Sequence, residues 1–481
     1  MPLSRPPNLP AQPPAPRSGR PLLAAMLLAL AAFAALLVHG SAPIGMIDQG
    51  DYPRTVSRIV GETLPAPADA RPGAPATRWT LAEGLPHPNP SSGTSSFLFA
   101  AAALLQSRYQ DRFDLRQLGL AAKLAFGLGL GLLAVAAGRR LGIGAAGQVL
   151  IATALLLVSF ASHNAAFLQS LYGEFSYFLG LPVLLSAMLW PEGRLRRILL
   201  FTGLVLCGGA KAQFFYLPLL ALAVLWLHSR ALRQRLPMPT LAVLLLAQAV
   251  CAAPLLISDV MGFNRHHSTY VGSYLAMTEA ERDRLGLDPA QRACIGVDAW
   301  GNRLPTIDST RPLPGAGPCA AARDKTFLDT LRPYAVAPLV AWRLVGTGLP
   351  PHLTVRYFHV STDTPYVVLL TRKTGRITQG LQQLSFLRDA LVRPWTLPLL
   401  LLAALACSAH AFRQANTGLA APLLLLVLLF ASQVPIALLG EGVRDLSKHL
   451  AGAQFALDLM VVLVICQVAL GGWRRSVLSG S

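Results

Sequence analysis

Nine apolar stretches decide the fold class before any other feature is weighed. They lie at 21–38, 118–137, 145–161, 175–190, 198–227, 240–257, 395–409, 419–439 and 450–470. An α-helix crosses the hydrocarbon core of a bilayer with about 20 apolar residues. The stretch at 198–227 is too long for one such helix and is interrupted by GGAKAQ at 208–213, so it reads as two short helices meeting near Lys211. The expectation is an α-helical polytopic integral membrane protein of about ten transmembrane helices. Composition agrees, with 53% hydrophobic and 13% charged residues among 481. Soluble domains carry about a quarter charged residues.

The net charge of +18 does not point to nucleic acid, because no nucleic-acid motif accompanies it. Its arginines instead gather in short loops: Arg139 and Arg140, then Arg194, Arg196 and Arg197, then Arg230, Arg233 and Arg235, then Arg474 and Arg475. Basic short loops face the cytoplasm. Both termini are then cytoplasmic, and two large polar segments, 40–116 and 258–394, lie outside. Lys211, Arg444 and Lys448 also fall on the outer side, where the rule disfavours them.

The chain divides accordingly. Residues 1–20 form a Pro-rich basic tail expected to be disordered. Residues 21–257 are an N-terminal membrane region that includes the outer loop 40–116. Residues 258–394 form an outer loop domain, read as a mixed α/β insertion with a weak strand signal in YFHVSTDTPYVVLL at 357–370. Residues 395–471 carry the last membrane helices, and 472–481 are a cytoplasmic tail. The apolar patch 97–105 is too short to span and reads as a helix on the membrane face. Cys207, Cys251, Cys407 and Cys466 lie in or beside apolar runs, while Cys294 and Cys319 share one polar loop. An extracytoplasmic position would make those two a disulfide pair.

Five clusters could carry chemistry. IGMIDQGDYPRTVSR at 44–58 places Asp48, Asp51 and Arg54 just after the first span. A carboxylate there can act as a general base toward a hydroxyl, and an Arg can hold a phosphate; a solvated turn is the plain alternative. EGVRDLSKH places Glu441, Arg444, Asp445, Lys448 and His449 between the last two spans, and on a helix the first four would share one face. Asp458 follows inside the apolar run. LYGEF opens a span with Glu174, which suits a helix N-terminus electrostatically. Lys211 can meet an anionic head group or snorkel. NRHHSTYVGSY offers His266 and His267, with no strong metal-ligand spacing. No metal site is expected, although Asp48 and Glu174 could recruit a divalent cation. All five clusters converge on the outer face, where an anionic lipid-linked substrate would meet them.

With these motifs in view, the chain resembles the GT-C superfamily of membrane glycosyltransferases. More narrowly, IDQGDYPR, LYGEF, GAKAQ, NRHHSTYVGSY with ERDRLGLDP, and EGVRDLSKHL resemble bacterial glycan-biosynthesis hexose transferases of the WsfD-like group. The resemblance implies inverting transfer of a hexose from a polyprenyl-phosphate sugar donor to a glycan or lipid acceptor, at the periplasmic face of the bacterial inner membrane and without a cofactor. It implies a catalytic base in the first outer loop, either Asp48 or Asp51. It places Arg444, Lys448 and His449 at the donor phosphate, with Lys211 assisting. A flippase of a lipid-linked saccharide and a glycan ligase are the rival readings. The concentration of acidic residues outside favours an enzyme over a flippase.

Overall fold

The structure is a computed structural model and describes residues 20–41, 44–48, 51–71, 74–256, 261–299, 319, 326–350, 353–355, 358, 366–372, 375–393, 395–413 and 418–478. The N-terminal tail to residue 19, and Gln49 and Gly50 of the first outer loop, lie outside the described residues. So does most of the stretch in which a strand was expected.

The chain is an α-helical polytopic membrane protein. Each expected span is a helix, and the break at Lys211 falls between helices Arg194–Gly208 and Leu217–Ala231. Six helices have the length and composition to cross a bilayer: Pro21–Ser41, Leu115–Leu141, Ala212–Ala231, Met238–Leu256, Ala420–Glu441 and Ala451–Ala469. A pair bent by 69°, Ala145–Ser159 with Ser162–Gln169, makes a seventh if taken as one span. Helices Glu174–Leu189, Arg194–Gly208 and Leu397–Arg413 occupy the remaining expected positions with 16, 15 and 17 residues. At 1.5 Å per residue they are shorter than the roughly 30 Å hydrocarbon core.

Local sequence explains the ends. Asp114 accepts the backbone N–H of Arg116 at 2.8 Å and caps helix Leu115–Leu141. Gly142 closes that helix at φ +66°, a left-handed conformation that costs glycine nothing. Between spans, small residues bring backbones together, as expected where lipid supplies no hydrophobic drive between helices. A Cβ on Gly203 would lie 2.6 Å from the Leu184 backbone N, and one on Gly180 would lie 2.9 Å from that of Cys207. Helices Glu174–Leu189 and Arg194–Gly208 therefore meet nearly backbone to backbone. Outward-facing Phe33, Leu150, Leu246 and Leu402 are exposed, an arrangement that suits lipid as the solvent.

The polar segments form a cap of short elements. Ile44–Met46 pairs antiparallel with Val367–Leu369, so the first outer loop and the segment after 258 share one small sheet. Val60–Thr63, Arg78–Leu81 and Arg112–Asp114 form a second antiparallel sheet. Residues 94–106 form the expected short apolar helix. Most described elements of the 258–394 segment are helical, and Cys294 and Cys319 are joined by a disulfide with Cα atoms 5.5 Å apart.

One buried polar knot ties the cap to the bundle. Asp458, inside the last span, accepts His163 Nε2 at 2.9 Å, Asn164 Nδ2 at 3.1 Å and Arg388 Nε at 3.1 Å. His163 Nδ1 meets Ser385 Oγ at 2.8 Å. The Ser–His–Asp order resembles a catalytic arrangement, but all three residues are buried and none lines either cavity described below. The knot pins helix Arg376–Leu391 against the last span and satisfies a carboxylate that lipid could not.

Gly203→Val is expected to lower the thermal midpoint of the detergent-purified protein by several degrees, since overpacking costs about 1–3 kcal/mol. Gly380→Ala is the control, because a Cβ there meets nothing within 4 Å; its midpoint should hold or rise.

Candidate functional site

Five sequence segments meet at one end of the bundle. The first outer loop enters a short helix, Tyr52–Val56, with Pro53 in its first turn. Asp51 stands before it and is gripped from both sides. One oxygen accepts from Arg54 at 3.0 Å and the other from Lys448 Nζ at 2.9 Å. Lys448 also contacts Asp445 at 3.4 Å and lies 5.3 Å from the centre of the Tyr172 ring. Arg444 reaches Asp298 at 3.2 Å and Asp445 at 3.7 Å.

A second group adjoins the first. His267 Nε2 accepts the backbone N–H of Ala299 at 3.1 Å, so its Nδ1 carries the proton and donates to Glu441 at 3.1 Å. His449 Nδ1 meets Gln213 Oε1 at 3.1 Å, and its Nε2 lies 3.7 Å from Glu441. Lys211 reaches Glu174 Oε1 at 2.6 Å. The clusters around Glu174 and Lys211, separate in sequence, are thus one ion pair.

These groups line a cavity of about 570 Å³. Its lining combines charged Asp51, Arg54, Lys211, Glu441, Arg444, Asp445 and Lys448 with apolar Phe215, Cys251, Leu255, Ile436 and Ala437. A second cavity of about 450 Å³ lies on the other side of helix Tyr52–Val56 and is lined by Asp48, Tyr52, Ser57, Thr63 and Trp79. The two carboxylates of the first loop therefore face different cavities. Asp48 also accepts the backbone N–H of Tyr52 at 3.0 Å, which starts the short helix.

Electrostatics follow from the pairing. Burial pushes the Asp51 carboxyl up, but Lys448, Arg54 and Lys211 outweigh it and hold it well below the usual range. Asp445 is likewise lowered against burial, chiefly by Lys448 and Arg444. Lys448 is buried, yet Asp445, Asp51 and Glu174 raise its value and keep it charged. His449 is lowered to about 4, chiefly by burial; Lys211 and Lys448 add to the lowering, while Glu441 and Glu174 pull the other way.

Three expectations need correction. Glu441, Arg444, Asp445 and Lys448 do not share one helical face. The spanning helix ends at Glu441, Gly442 turns the chain at φ +64°, and Asp445 adopts a left-handed φ of +47° before the short helix Leu446–His449. The turn brings these charges together where a continuous helix would have spread them along its axis. His266 does not line the cavity; it is buried, with Nε2 3.0 Å from the Val297 carbonyl. Glu174 pairs with Lys211 rather than with Asp48, and among the described residues no group of three His, Cys, Asp or Glu is poised to hold a metal.

Several residues of the site carried no clear signal. Asp298, fully buried against Arg444, sits in an unremarkable loop. Tyr366 donates to Asp445 at 3.3 Å from beside the cap strand. Tyr172 lies inside LYGEF, where only Glu174 stood out. Its hydroxyl donates to the Ile47 carbonyl at 2.6 Å, next to Asp48.

Comparison with known proteins adds a family. The chain matches the YfdI N-terminal transmembrane domain over residues 17–312, more than half its length, and belongs to that family. It is 25% identical over 322 residues to the uncharacterized protein YfdI of Escherichia coli (strain K12), covering 63% of this chain and 66% of that one. The chain thus spans just under two thirds of that relative. Among solved structures, ArnT from Cupriavidus metallidurans bound to undecaprenyl phosphate aligns with 94% of this chain and 78% of its own, at 16% identity and a TM-score of 0.31.

The His449 value gives a signed prediction. An unfolded His titrates near 6.5, so between about 6.5 and 4 the unfolded chain binds a proton that the folded site refuses. Stability through this group is full above that window and falls as pH drops through it. The thermal midpoint in detergent should fall from pH 7 to pH 5, and less in His449→Gln. Equal slopes in the two proteins would mean that His449 already ionises in the fold.

Proposed function

We propose that this member of the YfdI N-terminal transmembrane domain family is a membrane glycosyltransferase of GT-C type. It transfers a hexose from a polyprenyl-phosphate donor to a glycan or lipid acceptor, at the periplasmic face of a bacterial inner membrane with both termini in the cytoplasm. The observation that carries this reading is the mixed lining of the large cavity, in which apolar residues of helices Met238–Leu256 and Ala420–Glu441 meet Arg54, Lys211, Arg444 and Lys448, each held by a carboxylate partner. Such a lining fits an amphiphile with an isoprenoid tail and a phosphate head. The disulfide Cys294–Cys319 supports an oxidising, extracytoplasmic setting for this end of the bundle.

Within this reading, Lys448, Arg444, Arg54 and Lys211 receive the donor phosphate and stabilise the charge that grows on it as the glycosidic bond breaks. The acceptor oxygen attacks the anomeric carbon, the lipid phosphate leaves, and a carboxylate takes the hydroxyl proton. Inversion places that base on the opposite face of the sugar from the leaving phosphate, as in inverting glycoside hydrolysis. Asp51 is committed to the cations on the phosphate side. Asp48 faces the neighbouring cavity and is the base in this scheme, with the acceptor entering there. Asp51 then orients Lys448 and Arg54, and Glu441 holds His267 and His449 in place.

The test is transfer of labelled hexose from a polyprenyl-phosphate donor in membranes with matched protein levels. Asp48→Asn is expected to lose on the order of 10²–10⁴-fold in transfer while retaining donor binding. Lys448→Met is expected to weaken donor binding itself. Full transfer in Asp48→Asn with loss in Asp51→Asn would exchange the two roles. Full transfer in both would remove the carboxylates from the mechanism.

A further inference from the structure

Two short helices in the second outer segment, Phe327–Val336 and Leu339–Gly348, pack on each other and expose the wrong residues for water. On the first, Leu328 and Leu331 are 74% and 43% exposed, and on the second Leu339 and Trp342 are 68% and 76% exposed. Their spacing of three residues on each helix makes a stripe, continued by exposed Ala335, while Thr330 on the other side of the first helix is buried. A helix in water reverses that pattern. Each helix has 10 residues, too few to cross a bilayer.

Their neighbours indicate what covers the stripe. Leu339–Gly348 contacts the spanning helix Ala420–Glu441, and Phe327–Val336 contacts helix Met261–Ser268, which follows the span Met238–Leu256. Those two spans supply Leu255, Ile436 and Ala437 to the lining of the large cavity. Leu256 and Leu439, near the ends of the same spans, are exposed at 88% and 44%, so the stripe adjoins the lipid-facing surface of the bundle. A Trp beside leucines, with exposed Arg332 nearby, is the composition of a membrane interface, where the indole sits at head-group depth and the Arg snorkels.

We propose that these two helices are seated in the outer leaflet and form a rim over the opening between the two spans, through which the lipid substrate enters. The occupant of the stripe is phospholipid. The seating stands on the stripe and its neighbours; the role in lipid entry rests on the donor reading given above.

The experiment uses the full-length protein in nanodiscs, with and without phospholipid brominated near the head-group end of its acyl chains. Wild type should show a quenched fluorescence component that is missing in Trp342→Phe. Identical quenching in both would place Trp342 away from lipid and overturn the seating. The entry role is read from Leu328→Asp combined with Leu339→Asp. Its KM for a long-chain polyprenyl-phosphate hexose should rise several-fold, with kcat held and with no change for a water-soluble short-chain donor. Equal effects on both donors, or none on either, would overturn the rim. Absence of transfer in wild type would defeat the glycosyltransferase reading alone. Uptake of labelled polyprenyl phosphate by wild type and the double variant would then decide the rim, with slower uptake expected in the variant and equal uptake against it.

Discussion

Lys448 is the constraint around which the outer site is built. Its side chain is 3% exposed, and a buried cation without partners would discharge or drag the fold apart. Asp51 at 2.9 Å and Asp445 at 3.4 Å supply the countercharge, and the Tyr172 ring supplies a π-face. Those three partners come from the first outer loop, the last outer turn and the loop before helix Glu174–Leu189. Neutralising one ammonium therefore fixes three distant pieces of chain against each other. The same reasoning extends outward, because Asp445 accepts from Tyr366 and lies beside Arg444, which in turn meets Asp298.

The short stretch 171–174 distributes that order. The Leu171 carbonyl accepts from Thr55 at 2.7 Å, the Tyr172 hydroxyl donates to Ile47, the Gly173 carbonyl accepts from Ser95 at 2.6 Å, and Glu174 takes Lys211. Four consecutive residues thus tie three separate parts of the first outer loop, and Lys211, to one point. Gly173 leaves little space for a side chain there, since a Cβ would lie 3.1 Å from the Ala210 carbonyl oxygen. The bundle below holds this hub through backbone-close packing at Gly180 and Gly203 and through the Asp458 knot. Rigid spans thereby position loops whose charges would otherwise repel, attract and rearrange in water.

Much of the site was legible because charge at a membrane boundary is costly and so stands out. Asp48, Asp51, Arg54, Lys211, Glu441, Arg444 and Lys448 break an apolar background, and each lines one of the two cavities. Asp298 and Tyr366 were not legible: a lone acid or tyrosine in a long polar loop looks like any solvated residue until a partner buries it. The paired Glu174 and Lys211 were each visible, but nothing in either motif says that they touch. His266 was visible for the wrong reason. Adjacent histidines draw attention, yet neighbours on a helix point apart, and only His267 reaches the cavity.

The sequence alone determined that this chain lives in a bilayer, where its helices run, that the chain breaks at Lys211, and that its unusual charges gather at one end. Those conclusions need only hydropathy, helix length and the cost of desolvating a charge, all of which are local. The tertiary structure alone decided that Asp48 and Asp51 face different cavities, that Gly442 and a left-handed Asp445 fold EGVRDLSKH into a cluster, and that the two outer segments share a sheet. Those outcomes depend on pairings between residues hundreds of positions apart. Periodicity and composition carry no record of such pairings, because each partner is chosen by the space and charge that another segment leaves open.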